Sequence, residues 1–511
     1  MQLRVIALAG YAVVAACGDD DRPGQPDAPG TPDAPPDAED PGVVPRVEPA
    51  ACRYDVPASI GLVEGQGYAC GDLVVYENRE TKARAIKLHF IRFESTSASP
   101  NATIYLDGGP GGDGQNMIRY ADVLGAPFLD GLRTDGDFLV LGQRGTSRSI
   151  PYLDCETPTC ADFAMYDLPS YNTAANADDV DDLRATLGYE QLNLYGISYG
   201  SRLGLEVLRR HGDHVRAAVI EGLVPSSMAW PAAIPASFYS ALTGLNASCE
   251  AAGGCGAAFG DLVAKFSAGV ASLEAAPLTI PGVPFDLDGY TYANLIFRAL
   301  YSKSTYAWLP MTISDLAARR TDRVAGFVAP LVERLLEGNG VSSGLYNAVV
   351  CGEIFNPPDP NAFDQLNAGV PDDIVQTFGG SWYFLMERCE TFPVGNLQAQ
   401  LAEPVSSSVR TLVSSGRLDP ITPPGFGDLA AATLSNSVVV VHENSGHGAT
   451  LQSACGVQNL TAFIADPDGS HDTSCAASVA TNYVLPSMAT TPAIPWARVR
   501  AELGFAPPLV R

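Results

Sequence analysis

Ser198 stands in the pentapeptide Gly196-Ile197-Ser198-Tyr199-Gly200. The apolar run Leu192 to Tyr195 precedes it, and the helix-patterned stretch from Ser198 to His211, closed by Gly212, follows. A G-x-S-x-G sequence between a strand and a helix is where a nucleophilic serine is held on a sharp turn, its hydroxyl lifted to the sheet edge. The bland alternative is a serine that only caps the helix. A serine hydroxyl attacks only when a neighbouring base takes its proton. Of the six histidines, His447 in Gly446-His447-Gly448 follows the last strong apolar run, where small neighbours let a loop carry an imidazole. His442 is the second choice; His89, His211 and His214 read as structural or dipole-facing, and His471 lies in a Gly/Asp-rich loop near Cys475.

The acid that orients such an imidazole falls between serine and histidine in this strand–helix order. Asp419 meets that requirement directly after the apolar run Val409 to Ser414, 28 residues before His447. Thr422, followed by Pro423 and Pro424, reads as a helix N-cap that fixes the turn carrying Asp419. Asp428 lies inside that helix and Glu443 almost touches the base in sequence, so both fit less well. The reaction also needs donors for a developing oxyanion. One is the N–H of Tyr199; the other is expected from the cluster Gly108-Gly109-Pro110-Gly111-Gly112, at Gly109. Residues 109–114 also satisfy G-x-G-x-x-G, but Pro110 removes an N–H that would cradle phosphate, which counts against a dinucleotide site.

Those residues need a scaffold of strands ending at one edge. Leu73–Tyr76, Ala85–Phe93, Ala102–Asp107, Asp137–Leu141, Leu192–Tyr195 and Ala217–Ile220 read as strands, with a helix from Asp178 to Leu187 whose first turn is acidic. Strands alternating with helices, the strands short and largely unalternated, predict a parallel sheet covered on both faces. The rhythm fades between about Val224 and Pro404, where the pattern turns helical, and returns at Val409–Ser414 and Val438–Val441. An α/β body interrupted by a helical insertion follows.

The 511 residues carry a net charge of −26, which argues against a nucleic-acid partner because no basic surface is available to displace counterions. Arg4 and the apolar stretch Val5 to Ala16 lead into Val14-Ala15-Ala16-Cys17, which resembles the bacterial lipoprotein signal. That resemblance implies export, removal of residues 1–16 and lipidation of Cys17; an ordinary signal peptide cut near Ala16 is the alternative. An acidic Pro/Asp-rich spacer then runs to about residue 50. Ten further cysteines fall in sequence-adjacent couples: Cys52/Cys70, Cys155/Cys160, Cys249/Cys255, Cys351/Cys389 and Cys455/Cys475. Local pairing is the simplest of many connectivities and fits an oxidising compartment. No C-x-x-C pair exists and the six histidines lie far from most of the cysteines, which counts against zinc; no metal or cofactor is expected.

Taken together, Gly108–Gly112, Gln143-Arg144-Gly145-Thr146, Gly196–Gly200, Asp419-Pro420 with Thr422-Pro423, and Gly446–Gly448 resemble the α/β-hydrolase fold. More narrowly, they resemble the proline iminopeptidase and tripeptidyl aminopeptidase-like serine peptidases, over about residues 70 to 480. The resemblance implies a helical cap over the site and removal of residues or short peptides from a free N-terminus. Expected boundaries are a signal peptide at 1–16, lipidated cysteine and linker at 17–50, hydrolase core at 51–224, cap at 225–404 and core again at 405–511. Three departures bear on substrate choice: Gly142 where the family usually has Asp, Ser147 where Gly is frequent, and Glu221-Gly222 where Asp-Gly is common. An aminopeptidase must hold an ammonium away from water, and Glu221 and Glu353 are the carboxylates expected for that task. The alternatives are a carboxylesterase or lipase with the same triad, and a non-catalytic lipid-anchored binding protein. The expected partners are a peptide or small ester substrate and a membrane reached through the lipid.

Overall fold

The computed structural model describes residues 42–505 apart from 96, 156–159, 338–339, 356–360, 396–398 and 489–492. The apolar N-terminal segment, Cys17 and the linker as far as residue 41 lie outside the described residues.

Eight strands form before the helical stretch: β1 (Arg46–Pro49), β2 (Val63–Glu64), β3 (Gly67–Tyr76), β4 (Ala85–Phe93), β5 (Ala102–Leu106), β6 (Asp137–Leu141), β7 (Leu192–Ile197) and β8 (Val215–Glu221). Four helices lie among them: α1 (Gln115–Leu124), α2 (Ala126–Leu132), α3 (Thr173–Leu187) and α4 (Tyr199–His211). Between β8 and the next sheet strand the chain is mainly helical. It forms α5 (Ile234–Ala251), α6 (Cys255–Phe259), α7 (Leu262–Ala275), α8 (Gly289–Ala299) and α9 (Leu309–Ala317). Then come α10 (Ala325–Leu336), α11 (Ser343–Val349), α12 (Ala362–Leu366) and α13 (Asp372–Thr391). A small hairpin, β9 (Leu278–Thr279) with β10 (Asp286–Leu287), interrupts these helices, so the stretch is not purely helical as its sequence pattern predicts. The sheet resumes with β11 (Arg410–Gly416), followed by α14 (Pro424–Ala431), β12 (Ser437–His442), α15 (Ala454–Ala465) and α16 (Trp496–Glu502).

Ten strands make one sheet in the order β1-β3-β4-β6-β5-β7-β8-β11-β12, with β2 beside β3. Pairing is antiparallel from β1 to β6 and parallel from β6 to β12. Successive strand residues point to opposite faces, and each face has its own core. Ile104, Leu194 and Ile220 enter one buried cluster, while Tyr105, Tyr195 and Val219 enter the other. Central strands buried on both sides carry no polar alternation, and their C-terminal ends all open on the same edge.

Two local expectations need correction. The linker read as running to residue 50 ends earlier, because Arg46–Pro49 pairs with β3 and Glu48 accepts from Arg46 and Lys87. Helix α3 starts at Thr173, capped by the Asn172 side chain, rather than at Asp178. Its acids therefore lie beyond the first turn, where Asp179 takes two hydrogen bonds from the buried Arg144 and another from Arg79. Ion pairing, not the helix dipole, explains them.

Five disulfides join Cys52–Cys70, Cys155–Cys160, Cys249–Cys255, Cys351–Cys389 and Cys455–Cys475.

Candidate active site

Ser198 sits between β7 and α4 with φ 61° and ψ −128°, a left-handed conformation that is costly for a residue with a side chain. The neighbouring glycines make the turn possible. A Cβ on Gly196 would lie 2.2 Å from the Gly200 carbonyl oxygen, and one on Gly200 only 1.9 Å from that of Leu106. Ser198 is thus pressed against the end of β5, where a Cβ on Gly108 would stand 2.9 Å from its Cβ and 3.4 Å from its Oγ. The Ser198 N–H is held by the Glu221 carbonyl at 2.9 Å, which ties the elbow to the end of β8.

The glycine loop after β5 is folded around one buried carboxylate. Asp107 accepts from the N–H groups of Gly108 and Gly114, each at 2.8 Å, and from the Tyr105 hydroxyl. Burial raises its pKa despite these donors. A side chain at Gly112 would meet Asp107 Oδ2 at 2.5 Å. Gln143 adds a bond from its amide to the Asp107 carbonyl. The Gln-Arg-Gly-Thr segment therefore buttresses the loop, with Arg144 anchoring it to α3. Gly109 lines the same cavity as Ser198. Tyr199 is the first residue of α4, one of the four N-terminal positions whose N–H has no intrahelical acceptor.

Asp419 and His447 meet at the ends of β11 and β12. Asp419 is buried, and its Oδ1 accepts from the N–H groups of Ile421 and Thr422. Its Oδ2 accepts from the Thr422 hydroxyl at 2.7 Å and lies 2.8 Å from His447 Nδ1. With Nδ1–H donating to the carboxylate, Nε2 is the basic nitrogen. The imidazole also rests against the end of β8: a Cβ on Gly222 would fall 3.1 Å from its Cε1. Its loop is fixed by Gln452, which accepts from the Gly446 N–H and donates to the His447 and Tyr301 carbonyls. Tyr301, from just beyond α8, lays its ring 5.0 Å from the imidazole. Serine, carboxylate and imidazole thus occupy the ends of β7, β11 and β12, with β8 between the first two. The arrangement has the parts for nucleophilic attack, proton transfer and oxyanion binding.

Residues 106–245 match the family described as alpha/beta hydrolase fold, and residues 375–475 the family described as TAP-like protein. The first span contains the glycine loop and Ser198; the second contains Asp419 and His447. The chain is 23% identical over 434 residues to a tripeptidyl aminopeptidase of Streptomyces coelicolor, covering 75% of this chain and 77% of that one. It is 24% identical over 450 residues to serine protease Hip1 of Mycobacterium tuberculosis, covering 78% and 85%. A proline iminopeptidase of Neisseria gonorrhoeae is 29% identical over 149 residues, 28% of this chain and 41% of its own. The chain has the α/β-hydrolase fold, and its relatives include serine peptidases.

In this hydrolase the two glutamates expected at an ammonium site have other tasks. Glu221 is fully buried and accepts from the Thr450 N–H at 2.6 Å, from the Thr450 hydroxyl, and from Tyr195. Burial, offset only in part by those donors, pushes its pKa up to about 7. Because its own carbonyl holds Ser198, Glu221 links the nucleophile turn to the segment just after His447. Glu353 accepts from the Thr173 N–H at 2.6 Å, from the Thr173 hydroxyl at 2.7 Å and from Arg202. It clamps α3 and α4 to the helical region. Neither lines the cavity of about 630 Å³ that Ser198 opens into.

The other histidines divide as follows. His89 lies between Asp72 and the Arg53 N–H, and His211 and His214 bind Asp178 and Asp181. His442, the runner-up for the base, is buried with neither ring nitrogen hydrogen-bonded among the described residues, and burial lowers its pKa to about 4. Two groups of ligand-type side chains occur among the described residues. Cys52, Cys70 and His89 have their sulfurs in a disulfide, and Asp181, His211 and His214 would set a cation against Arg184, 3.1 Å from His214. That second group lies at the far end of α4, about 20 Å along the helix from Ser198.

Sequence reading assigned Thr422 the wrong task. Pro423 holds the cap position of α14, while the Thr422 hydroxyl is shared between Asp419 and His447 Nδ1, 3.0 Å away. The Asp-x-x-Thr spacing carried that signal, since an aspartate commonly binds groups two and three residues on. Gln452 and Tyr301 had none, because their role depends on the tertiary approach of separate segments.

Proposed function

We propose that the protein is an exported serine aminopeptidase that releases residues or short peptides from free N-termini through an acyl-enzyme. Ser198 Oγ attacks the scissile carbonyl while His447 Nε2 takes its proton. Asp419 keeps Nδ1 protonated and stabilises the imidazolium. The Gly109 and Tyr199 N–H groups take the oxyanion, and each such donor contributes roughly 10²–10³ in rate. The imidazolium then protonates the leaving amine, and a water attacks the acyl-enzyme by the reverse sequence. The observation that carries this reading is the buried Asp419–His447 bond of 2.8 Å at the sheet edge from which Ser198 projects in a left-handed turn. Peptide cleavage from the N-terminus is supported by relatives named tripeptidyl aminopeptidase and proline iminopeptidase. Five disulfides support export, and Cys17 is proposed as the lipid-bearing residue that anchors the enzyme to a membrane of the cell envelope. The residues between β8 and β11 are proposed as the cap.

A carboxylesterase with the same triad is the second reading. It is favoured by one observation: Glu221 and Glu353 are both bonded within the protein and leave no assigned partner for an ammonium. The deciding experiment offers aminoacyl and tripeptidyl anilides with free or acetylated N-termini beside short-chain esters, with Ser198→Ala as control. Acetylation should abolish turnover of the anilides. Equal turnover of both forms, with faster ester cleavage, refutes the aminopeptidase; no turnover and no fluorophosphonate labelling of Ser198 refutes the hydrolytic site.

A further inference from the structure

Four arginines line the cavity that Ser198 opens into; Arg148 pairs with Asp113, and the other three come from distant helices: Arg119 on α1, Arg334 on α10 and Arg500 on α16. In a chain with 31 Lys+Arg against 57 Asp+Glu, gathering three guanidiniums at one cavity runs against the average charge. Like charges repel, so such a cluster costs stability unless a function or a counter-charge offsets it. Burial and the neighbouring Arg119 and Arg500 charges hold the Arg334 pKa below its ordinary value, against an opposing pull from Glu337.

The carboxylates around the cavity are largely committed. Asp107 is spent on the glycine loop, and Asp113 accepts from Ser147 and from Arg148. Asp122 accepts from the Ser59 hydroxyl. Among the described residues Glu337 pairs with the cluster, 3.0 Å from Arg500 and 3.7 Å from Arg334. Arg119 is exposed and makes no ion pair among the described residues. With Arg148 paired to Asp113, the remaining three guanidiniums share one ion-pairing carboxylate, Glu337, among the described residues.

We infer that Arg119, Arg334 and Arg500 form a subsite that binds a carboxylate of the substrate while its scissile bond lies at Ser198. This rests on the reading of Ser198 as the nucleophile and narrows the substrate to peptides with an anionic group. Guanidinium forks present paired N–H donors that match a carboxylate. A volume of about 630 Å³ suits a short peptide, since ligand pockets run from about 300 to 1,000 Å³. The carboxylate is either the free C-terminus of a short peptide or an Asp or Glu side chain.

The test measures kcat/KM for tetra-alanine as free acid and as C-terminal amide, and for an amidated tetrapeptide with one Glu. A parallel pair of esters, one with a carboxylate-ended acyl chain and one neutral of equal length, follows the same subsite without a peptide bond. The native enzyme should prefer the anionic member of a pair about 10-fold or more, as one lost charge-assisted hydrogen bond implies. Arg119→Gln and Arg500→Gln should bring the ratio towards one, and Glu337→Gln should raise it; a merely structural role would not move these variants in opposite directions. Fluorophosphonate labelling of Ser198 identifies variants that remain folded. Preference for the free acid over its amide points to the C-terminus, and rescue of the amide by Glu points to a side chain. Equal rates on anionic and neutral substrates by the native enzyme overturn the subsite, even if peptides are cleaved. Anionic preference among the esters, lost in Arg119→Gln, upholds it even if no peptide is cleaved and the peptidase reading falls.

Discussion

Replacing Glu221 by Gln tests whether the buried carboxylate beneath the site is a charge the fold tolerates or one it resists. The side chain is fully buried, and its donors among the described residues are neutral: the Thr450 N–H and hydroxyl and the Tyr195 hydroxyl. Its pKa rises from an ordinary 4.5 to about 7, with burial as the largest cause. A carboxyl whose folded pKa lies above its unfolded one contributes its full stability below pH 4.5. That contribution is lost progressively as the pH rises through about 7. The difference amounts to about 3 kcal/mol. Unfolding entropy of about 2.1 cal/mol/K per residue makes this about 3 °C in melting temperature for a body the size of 42–511. Gln keeps the shape and one acceptor but carries no charge. Glu221→Gln should therefore match or fall slightly below the native protein at pH 4.5 and gain about 3 °C on it by pH 8.5, read by differential scanning calorimetry. A difference that is independent of pH, or that turns against the Gln variant as pH rises, would show an ionised Glu221 to be stabilising and refute the burial reasoning.

Thr422→Val removes the hydroxyl shared by Asp419 and His447 without changing the shape of the turn. Loss of one such bond should lower kcat about 10-fold with KM little altered, in steady-state kinetics on an anilide or ester; an unchanged kcat removes Thr422 from the site. His442 titrates in the opposite sense to Glu221. Its folded pKa of about 4 lies below the ordinary 6.5, so the unfolded chain binds the extra proton and stability falls as the pH drops through that window, by about 3 kcal/mol at most. His442→Leu should flatten the loss of melting temperature between pH 6.5 and 4, and an unaltered slope would mean another group is responsible.

The positions proposed to carry the chemistry are readable because local sequence marks them. A serine between two glycines that permit only one tight turn, a histidine between glycines, and an aspartate followed by Thr-Pro-Pro each announce their backbone. The couples of neighbouring cysteines are also the couples that bond. Strand β6 begins and ends where its apolar run does, since a central strand buried on both faces admits few polar residues; β4 shows instead as an alternating run with Lys87, His89 and Arg92, and β5 stops one residue before Asp107. Edges were less legible: Arg46–Pro49 lies beside an acidic, proline-rich stretch, and only the open side of β3 makes it a strand.

What sequence could not assign was which buried polar group answers which. Glu221 and Glu353 were plausible receptors for an ammonium as free carboxylates, yet Thr450 and Thr173, 229 and 180 residues away, take them up. Thr422 looked like a cap until His447 came within hydrogen-bonding distance. Local patterns fix backbone conformation because that energy is settled within a few residues. Partners of buried charges are chosen by segments far apart in the chain, and only the packed sheet and helices bring Arg119, Arg334 and Arg500 to one cavity wall.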